Sequence, residues 1–377
     1  MDMGTVGLLL AGFVALVAGG EVLVRGAGGI AAALGMSPLV VGLTVVAFAT
    51  SAPELAVTLQ AVQEGSPDLA VGNVVGSNIA NVLLVLGIAA LIGPLVVRSQ
   101  LVRVDVPVMV AMGVLLLLVS LDGLIGRTNG ALLFVCLVGY VISAVLMGRR
   151  ETARAAPDTA PATTPDPGPT PGPRGHALNV ALLIVGVALL VVGADWLVEG
   201  ATRIATERGV PEMVIGLTVV AVGTSLPELA TTVIAALRGQ RDMAVGNAVG
   251  SSIFNIGAVL GVSSLLAPDG IPVAESAIHF DIPIMIAVSV ALLPVIYTGF
   301  EIRRWEGALF VGLYAAYTVY LLMNATDHER LPAYSAVMLW FVLPTIAIGL
   351  GALAAFEAGR RKGGAPSATP ADTGPPR

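Results

Sequence analysis

Charge is what this chain has least of. Only 12% of its 377 residues are Asp, Glu, Lys or Arg, against about 25% in an ordinary soluble domain. With 56% hydrophobic residues and a mean hydropathy of +0.91, the composition is that of a polytopic membrane protein rather than a large soluble core. Cysteine is almost missing. Cys136 stands alone, which excludes an intramolecular disulfide and a multi-cysteine metal cluster, and its apolar surroundings mark it as a packing residue. The three histidines, His176, His279 and His328, are isolated from every motif described below, which argues against a metal or proton-relay role. A net charge of −6 offers no basic surface for nucleic acid. The N-terminal stretch lacks a basic n-region, and its apolar run from Gly4 to about Val24 is too long for a signal-peptide h-region. It reads as a first span.

What the chain has in abundance is long apolar runs. A span needs about 20 such residues. Eleven candidates fall at 4–24, 39–62, 69–92, 104–121, 130–148, 178–198, 213–237, 243–266, 281–298, 307–323 and 333–356. A Pro/Ala/Thr/Gly-rich stretch, 149–177, separates the fifth from the sixth and is expected to be a disordered tether. The tail after Arg360 has the same character.

One stretch occurs twice. GLTVVAFATSAPELAVTLQAVQEGSPDLAVGNVVGSNIANVLLVLG (42–87) and GLTVVAVGTSLPELATTVIAALRGQRDMAVGNAVGSSIFNIGAVLG (216–261) align without a gap at an offset of 174, with 28 of 46 positions identical. Asp105-Val-Pro and Asp281-Ile-Pro extend the match at an offset of 176. Each half therefore holds five spans. Because five is odd, the second copy must enter the membrane upside down relative to the first, the inverted-repeat plan of secondary transporters. The expected architecture is all-α: a first five-helix repeat (1–148), a cytoplasmic linker (149–177), a second, inverted five-helix repeat (178–325), and an extra transmembrane helix with a cytoplasmic tail (326–377). With the N-terminus outside the cell membrane, 15 of the 19 Lys and Arg residues fall on the inside. This is the expected positive-inside bias, and it makes the linker and C-terminus cytoplasmic.

The repeat also repeats its polar residues, which are costly in a membrane and mark function by default. Thr50, Ser51 and Glu54 share one helical face by their three- and four-residue spacing. Thr224, Ser225 and Glu228 do the same. Pro53 and Pro227 lie among them and break the helix, because proline has no N–H and its ring clashes with the preceding turn. Broken intramembrane helices expose carbonyls that can coordinate cations. The next span adds Ser77 and Asn81, and its copy adds Ser251 and Asn255. Gly72 and Gly76, with Gly246 and Gly250, form small-xxx-small pairs expected to let helices approach closely. All side-chain donors in this set are hard oxygens, which suit Ca2+ and disfavour zinc or copper. Two carboxylates carry −2, a charge that one Ca2+, two Na+ or two protons would neutralise. Asp105 and Asp281 lie near span starts, where helix N-capping explains them. Glu21 and Asp195 read as interfacial residues near span ends.

On these motifs the chain resembles the cation/calcium antiporter superfamily, and within it the prokaryotic sodium/calcium exchangers, over about residues 4–323. The resemblance implies a transporter and not an enzyme, without a cofactor, embedded in the lipid bilayer, with Ca2+ and Na+ as cargo. It implies that Glu54 and Glu228 bind Ca2+ with Thr50 and Thr224. It places Na+ at Ser51, Ser77, Ser225 and Ser251, with the carbonyls of Ala47 and Ala221, and has Asn81 and Asn255 complete the middle. Some members carry Asp where this chain has Asn255. A neutral amide there demands no extra cation, which implies exchange that does not require K+. Calcium/proton exchangers share the fold but usually carry Asn-x-x-Glu in place of Thr-Ser-x-Pro-Glu. H+ as the driving ion, or another divalent cation as cargo, is the alternative. A passive cation channel and a non-transporting scaffold are the readings from other classes.

Overall fold

The computed structural model describes residues 3–155 and 173–363; the middle of the expected linker and the end of the tail lie outside the described residues. The protein is an all-α polytopic membrane protein. Its helices are α1 Met3–Leu34, α2 Pro38–Gln63, α3 Pro67–Ile92, α4 Leu101–Ser120, α5 Arg127–Ala155, α6 Pro173–Glu207, α7 in short pieces over 212–237, α8 Arg241–Leu266, α9 Ala277–Tyr297, α10 Arg304–Ala325 and α11 Leu331–Leu353. Among the described residues ten helices are long and apolar enough to cross a membrane, and α7 contributes the shorter apolar helix Leu226–Leu237.

Two small ribbons settle whether α7 also crosses. Strand β1 (Leu95–Val96), after α3, pairs antiparallel with β4 (Glu301–Ile302), after α9. Strand β2 (Leu124–Ile125), between α4 and α5, pairs with β3 (Ile271–Pro272), after α8. Paired loops must lie on the same membrane face. An even number of crossings separates each pair of loops only if 212–237 is itself a crossing. Arg98 of the α3–α4 loop, bonded to Asp242 at the start of α8 at 2.6 Å, imposes the same parity.

Helices α3 and α8 form the centre. Of their most apolar stretches 72% and 83% is buried, against 6% for α10 and α11. Helix α11 lies at the edge, tied to α10 by the Tyr334 hydroxyl donating to the Ala316 carbonyl at 2.8 Å, with Trp340 and Phe341 exposed on its surface.

Helices α1 and α6 are far longer than their expected spans of 4–24 and 178–198. At 1.5 Å per residue a 32-residue helix is about 48 Å long, more than the ~30 Å of a hydrocarbon core, so α1 must tilt or project beyond it. Arg25 does not end α1, because Glu21 one turn earlier accepts its guanidinium at 2.8 Å. Glu21 also takes Arg238, which caps the end of α7. Asp195 sits on the exposed face of α6. The two long helices pack antiparallel, with glycines seven residues apart as the seam. A Cβ added at Gly12 would stand 2.9 Å from the Gly193 carbonyl oxygen, at Gly19 2.8 Å from Leu190 N, and at Gly26 2.9 Å from the Asn179 carbonyl oxygen.

The repeat is also written in the backbone. Single π-helical turns fall at equivalent places in both halves: Gly42–Val46 and Gly216–Val220, Asn81–Val85 and Asn255–Leu260, Leu101–Asp105 and Ala277–Asp281. The last pair corrects the expectation that Asp105 and Asp281 cap helices. Helices α4 and α9 begin four residues earlier, and neither aspartate makes a side-chain cap bond. Asp105 is buried and accepts the Tyr140 hydroxyl at 3.1 Å.

The α1–α6 seam leaves no room for a larger side chain at its centre. Overpacking of this kind costs about 1–3 kcal/mol. Gly19→Val should therefore lower the thermal midpoint of the detergent-solubilised protein, whereas Gly7→Val, with nothing within 4 Å, should leave it unchanged.

Candidate ion-binding site

Helix α2 is interrupted where the proline requires it. Its first part ends at Thr50, Ser51 leaves helical geometry at ψ 1°, and a new helix, Ala52–Gln63, starts with Pro53 and Glu54 in its first turn. Helix α7 repeats this at Ser225 (ψ 4°), with Pro227 and Glu228 opening Leu226–Leu237. Each glutamate thus sits at a helix N-terminus within the membrane, where the backbone dipole favours negative charge.

Glu54 and Glu228 are completely buried and face each other across the two halves. Among the described residues no ion pair reaches either. Around them the structure gathers the sequence-nominated residues Thr50, Ser51, Ser77, Asn81, Ser225, Ser251 and Asn255, all buried, and Thr224, half-buried. Among the described residues nine buried side-chain oxygens of this group make no hydrogen bond of good geometry, although Glu228 interacts with Glu54 and Thr50: the four carboxylate oxygens, the hydroxyls of Ser51, Ser77 and Ser225, and the amide oxygens of Asn81 and Asn255. A buried polar atom left unpaired costs roughly 1–3 kcal/mol, and more if charged. Nine together, with two carboxylates among them, form a donor set suited to a hard cation. The Ala47 carbonyl is engaged within its own helix, accepting Ser51 N at 3.0 Å and the Thr50 hydroxyl at 3.4 Å. In the second copy Ser225 N donates to the Val222 carbonyl at 3.1 Å.

Asn73 and Asn247 belong to the site and escaped the sequence reading. The Asn73 amide donates to the Glu54 carbonyl at 3.2 Å and to the Thr58 hydroxyl at 3.0 Å. Asn247 does the same for Glu228 and Thr232, at 3.4 and 3.0 Å. They fix the backbone of the carboxylate-bearing turns. Their signal was present: both asparagines, and both threonines, recur between the copies. Thr231, three residues after Glu228, adds a buried hydroxyl without a partner. Its counterpart is Val57, so the repeat gave no hint of it.

Among the described residues the two halves differ. Thr50 is bonded across the interface to Asn247 and Ser251, both at 3.1 Å, while Ser77, the counterpart of Ser251, has no hydrogen-bond partner among the described residues. The glycines follow suit. A Cβ at Gly42 would meet the Met243 carbonyl oxygen at 2.6 Å, at Gly246 that of Leu39 at 2.8 Å, and at Gly250 that of Leu43 at 2.7 Å. Their counterparts Gly216, Gly72 and Gly76 meet nothing within 4 Å among the described residues, and Gly216 and Gly72 are exposed. The expected close packing exists for Gly246 and Gly250, where α8 is pressed against α2.

The sodium/calcium exchanger protein family matches residues 4–146 and 178–323, both halves and neither the linker nor α11. The chain belongs to this family. Among similar proteins, the sodium/calcium exchanger MaX1 of Methanosarcina acetivorans is 36% identical over 342 residues, covering 83% of this chain and 97% of its own. Inner membrane protein YrbG of Escherichia coli is 35% identical over 288 residues, 76% of this chain and 87% of its own. A solved structure of the sodium-calcium exchanger NCX_Mj superposes with a TM-score of 0.69 at 31% identity, covering 84% of this chain and 98% of that one. This exchanger is accordingly a membrane transporter of cations including Ca2+, not an enzyme.

The asymmetry makes the two structural asparagines unequal. Removing Asn247, fully buried, leaves the hydroxyls of Thr50 and Thr232 short of a partner with no water to replace it. Asn247→Ala should cost about 1–3 kcal/mol of stability, read as a lowered thermal midpoint. Asn73→Ala, half-buried beside the open side, should cost measurably less.

Proposed function

We propose that this exchanger is an antiporter that moves Ca2+ against Na+ by alternating access, with Glu54 and Glu228 as the central ligands. The observation that carries the reading is the pair of buried carboxylates with no basic partner, ringed by unpaired oxygens. A buried −2 without counter-charge is strongly unfavourable. It is relieved by one Ca2+ or by two monovalent cations, and not by both at once. That mutual exclusion is a physical basis for exchange. Protons would also neutralise the carboxylates, but they would leave the hydroxyls of Ser51, Ser77 and Ser225 without a role. Those oxygens, with Ser251, Thr50, Thr224, Asn81, Asn255 and the carbonyls of Ala47 and Ala221, suit Na+ and Ca2+ coordination.

Two inverted five-helix halves, 1–148 and 178–325, would perform the movement. The antiparallel packing of α1 on α6 and the matched π-helical turns support that relation. The close contact at Gly42, Gly246 and Gly250, beside the exposure of Gly216 and Gly72, supports two alternative states, each half taking the other's arrangement in turn. In the cell membrane, with the N-terminus outside and with the linker 149–177 and the tail of 326–377 cytoplasmic, the closed side faces the cytoplasm and the open side faces out.

Glu54→Gln and Glu228→Gln keep shape and remove one charge each. Each should reduce Na+-driven Ca2+ flux in proteoliposomes on the order of 100-fold, the effect of removing one partner of a buried charge cluster; near wild-type flux in either, correctly inserted, would refute the site. In a Cys136→Ala background, Gly72→Cys and Gly216→Cys should react with an impermeant thiol reagent added outside intact cells. Reaction only from the cytoplasmic side would reverse the orientation.

A further inference from the structure

Asn255 has a neighbour that dictates which way its amide points. Asn78, buried on α3, reaches across to the second half. Its Nδ2 donates to the Ser252 carbonyl at 3.1 Å and to Met285 Sδ at 3.4 Å. A backbone carbonyl can only accept, so the nitrogen of Asn78 must face it, and the Asn78 oxygen must face the other way. That oxygen receives Asn255 Nδ2 at 3.1 Å. Asn255 therefore spends its nitrogen on Asn78. Its oxygen, turned away from Asn78, is buried without a donor, on a turn packed against the helix that carries Glu54.

The first half has no such device. The counterpart of Asn78 is Ser252, whose hydroxyl donates to the Ala248 carbonyl at 3.0 Å within its own helix. Asn81, the counterpart of Asn255, has neither amide atom bonded, so nothing among the described residues fixes its orientation.

We propose that Asn78 is a positioning residue that holds Asn255 with its oxygen toward the transported cation, making one of the two central amides a dedicated acceptor. The inference rests on the reading of Asn255 as part of the ion site. It also gives a reason for an amide at position 255. An aspartate there would set a carboxylate oxygen against the Asn78 oxygen, with no hydrogen between them.

The test is a double-mutant cycle on the full chain in proteoliposomes, measuring the Ca2+ dependence of Na+-driven uptake for wild type, Asn78→Leu, Asn255→Leu and the double variant. Asn255→Leu should raise the apparent KM for Ca2+ about tenfold or more, as loss of a hydrogen-bonding or ligating group to a charged species does. Asn78→Leu should raise KM several-fold with maximal rate within about twofold of wild type, and should add nothing to Asn255→Leu. If Asn78→Leu does not insert, Asn78→Ser, the residue of the other copy, should show the same pattern. Wild-type KM in the Asn78 variant, or a full further rise on top of Asn255→Leu, would overturn the proposal while leaving the ion site intact. Wild-type KM in Asn255→Leu would instead remove Asn255 from the site, and the proposal would fall with it.

Discussion

Two carboxylates buried without a basic residue are the constraint on which the rest of this structure depends. A folded protein normally pairs or neutralises such groups. Among the described residues the compensation comes from the pair of helix N-termini created by Pro53 and Pro227, the frame of asparagines behind them and Thr50 beside Glu228. That compensation is partial, so a cation is needed, and the choice of cation follows from the remaining oxygens. Na+/Ca2+ exchange is therefore the activity for which the energetic cost of the site is most directly accounted.

The same constraint explains the backbone. A carboxylate at membrane depth on an unbroken helix would have no positive dipole end beside it. Breaking α2 and α7 at Ser51 and Ser225 supplies one, and the surrounding helices absorb the irregularity by packing closely at glycines. The π-helical turns starting at Asn81 and Asn255 place those asparagines where the helix register shifts, a local widening that recurs at functional sites in helices. Where glycines bring backbones into contact, at Gly246 and Gly250, the interface is shut. Gly72, the counterpart of Gly246 on the other side, is exposed.

Much of this was legible in the sequence because bilayers impose simple rules. Apolar run length located all eleven helices, and polar residues recurring inside apolar runs picked out Glu54, Glu228 and the serines and asparagines around them. The errors have physical reasons. Arg25 looked like the end of α1, but an intrahelical partner lets the helix continue. Asp105 looked like a cap, but α4 starts a turn earlier and buries the aspartate against Tyr140. Gly72 looks the same as Gly246 in sequence, yet Gly72 is exposed and Gly246 is buried. Asn73 and Asn247 were visible as repeated residues, but their role as backbone anchors depends on a contact between helices. Asn78 was invisible to the repeat because its copy is a serine.

The central claim is that Na+ and Ca2+ compete for one buried pair of carboxylates. Its most direct test is uptake of labelled Ca2+ into proteoliposomes under imposed gradients, with Na+ or H+ as the only available counter-ion. An outward Na+ gradient should drive Ca2+ accumulation above equilibrium, and uptake should collapse when Na+ is replaced by choline, whatever the pH gradient. Accumulation driven equally well by a pH gradient without Na+, or Ca2+ movement that needs no counter-ion, would contradict it.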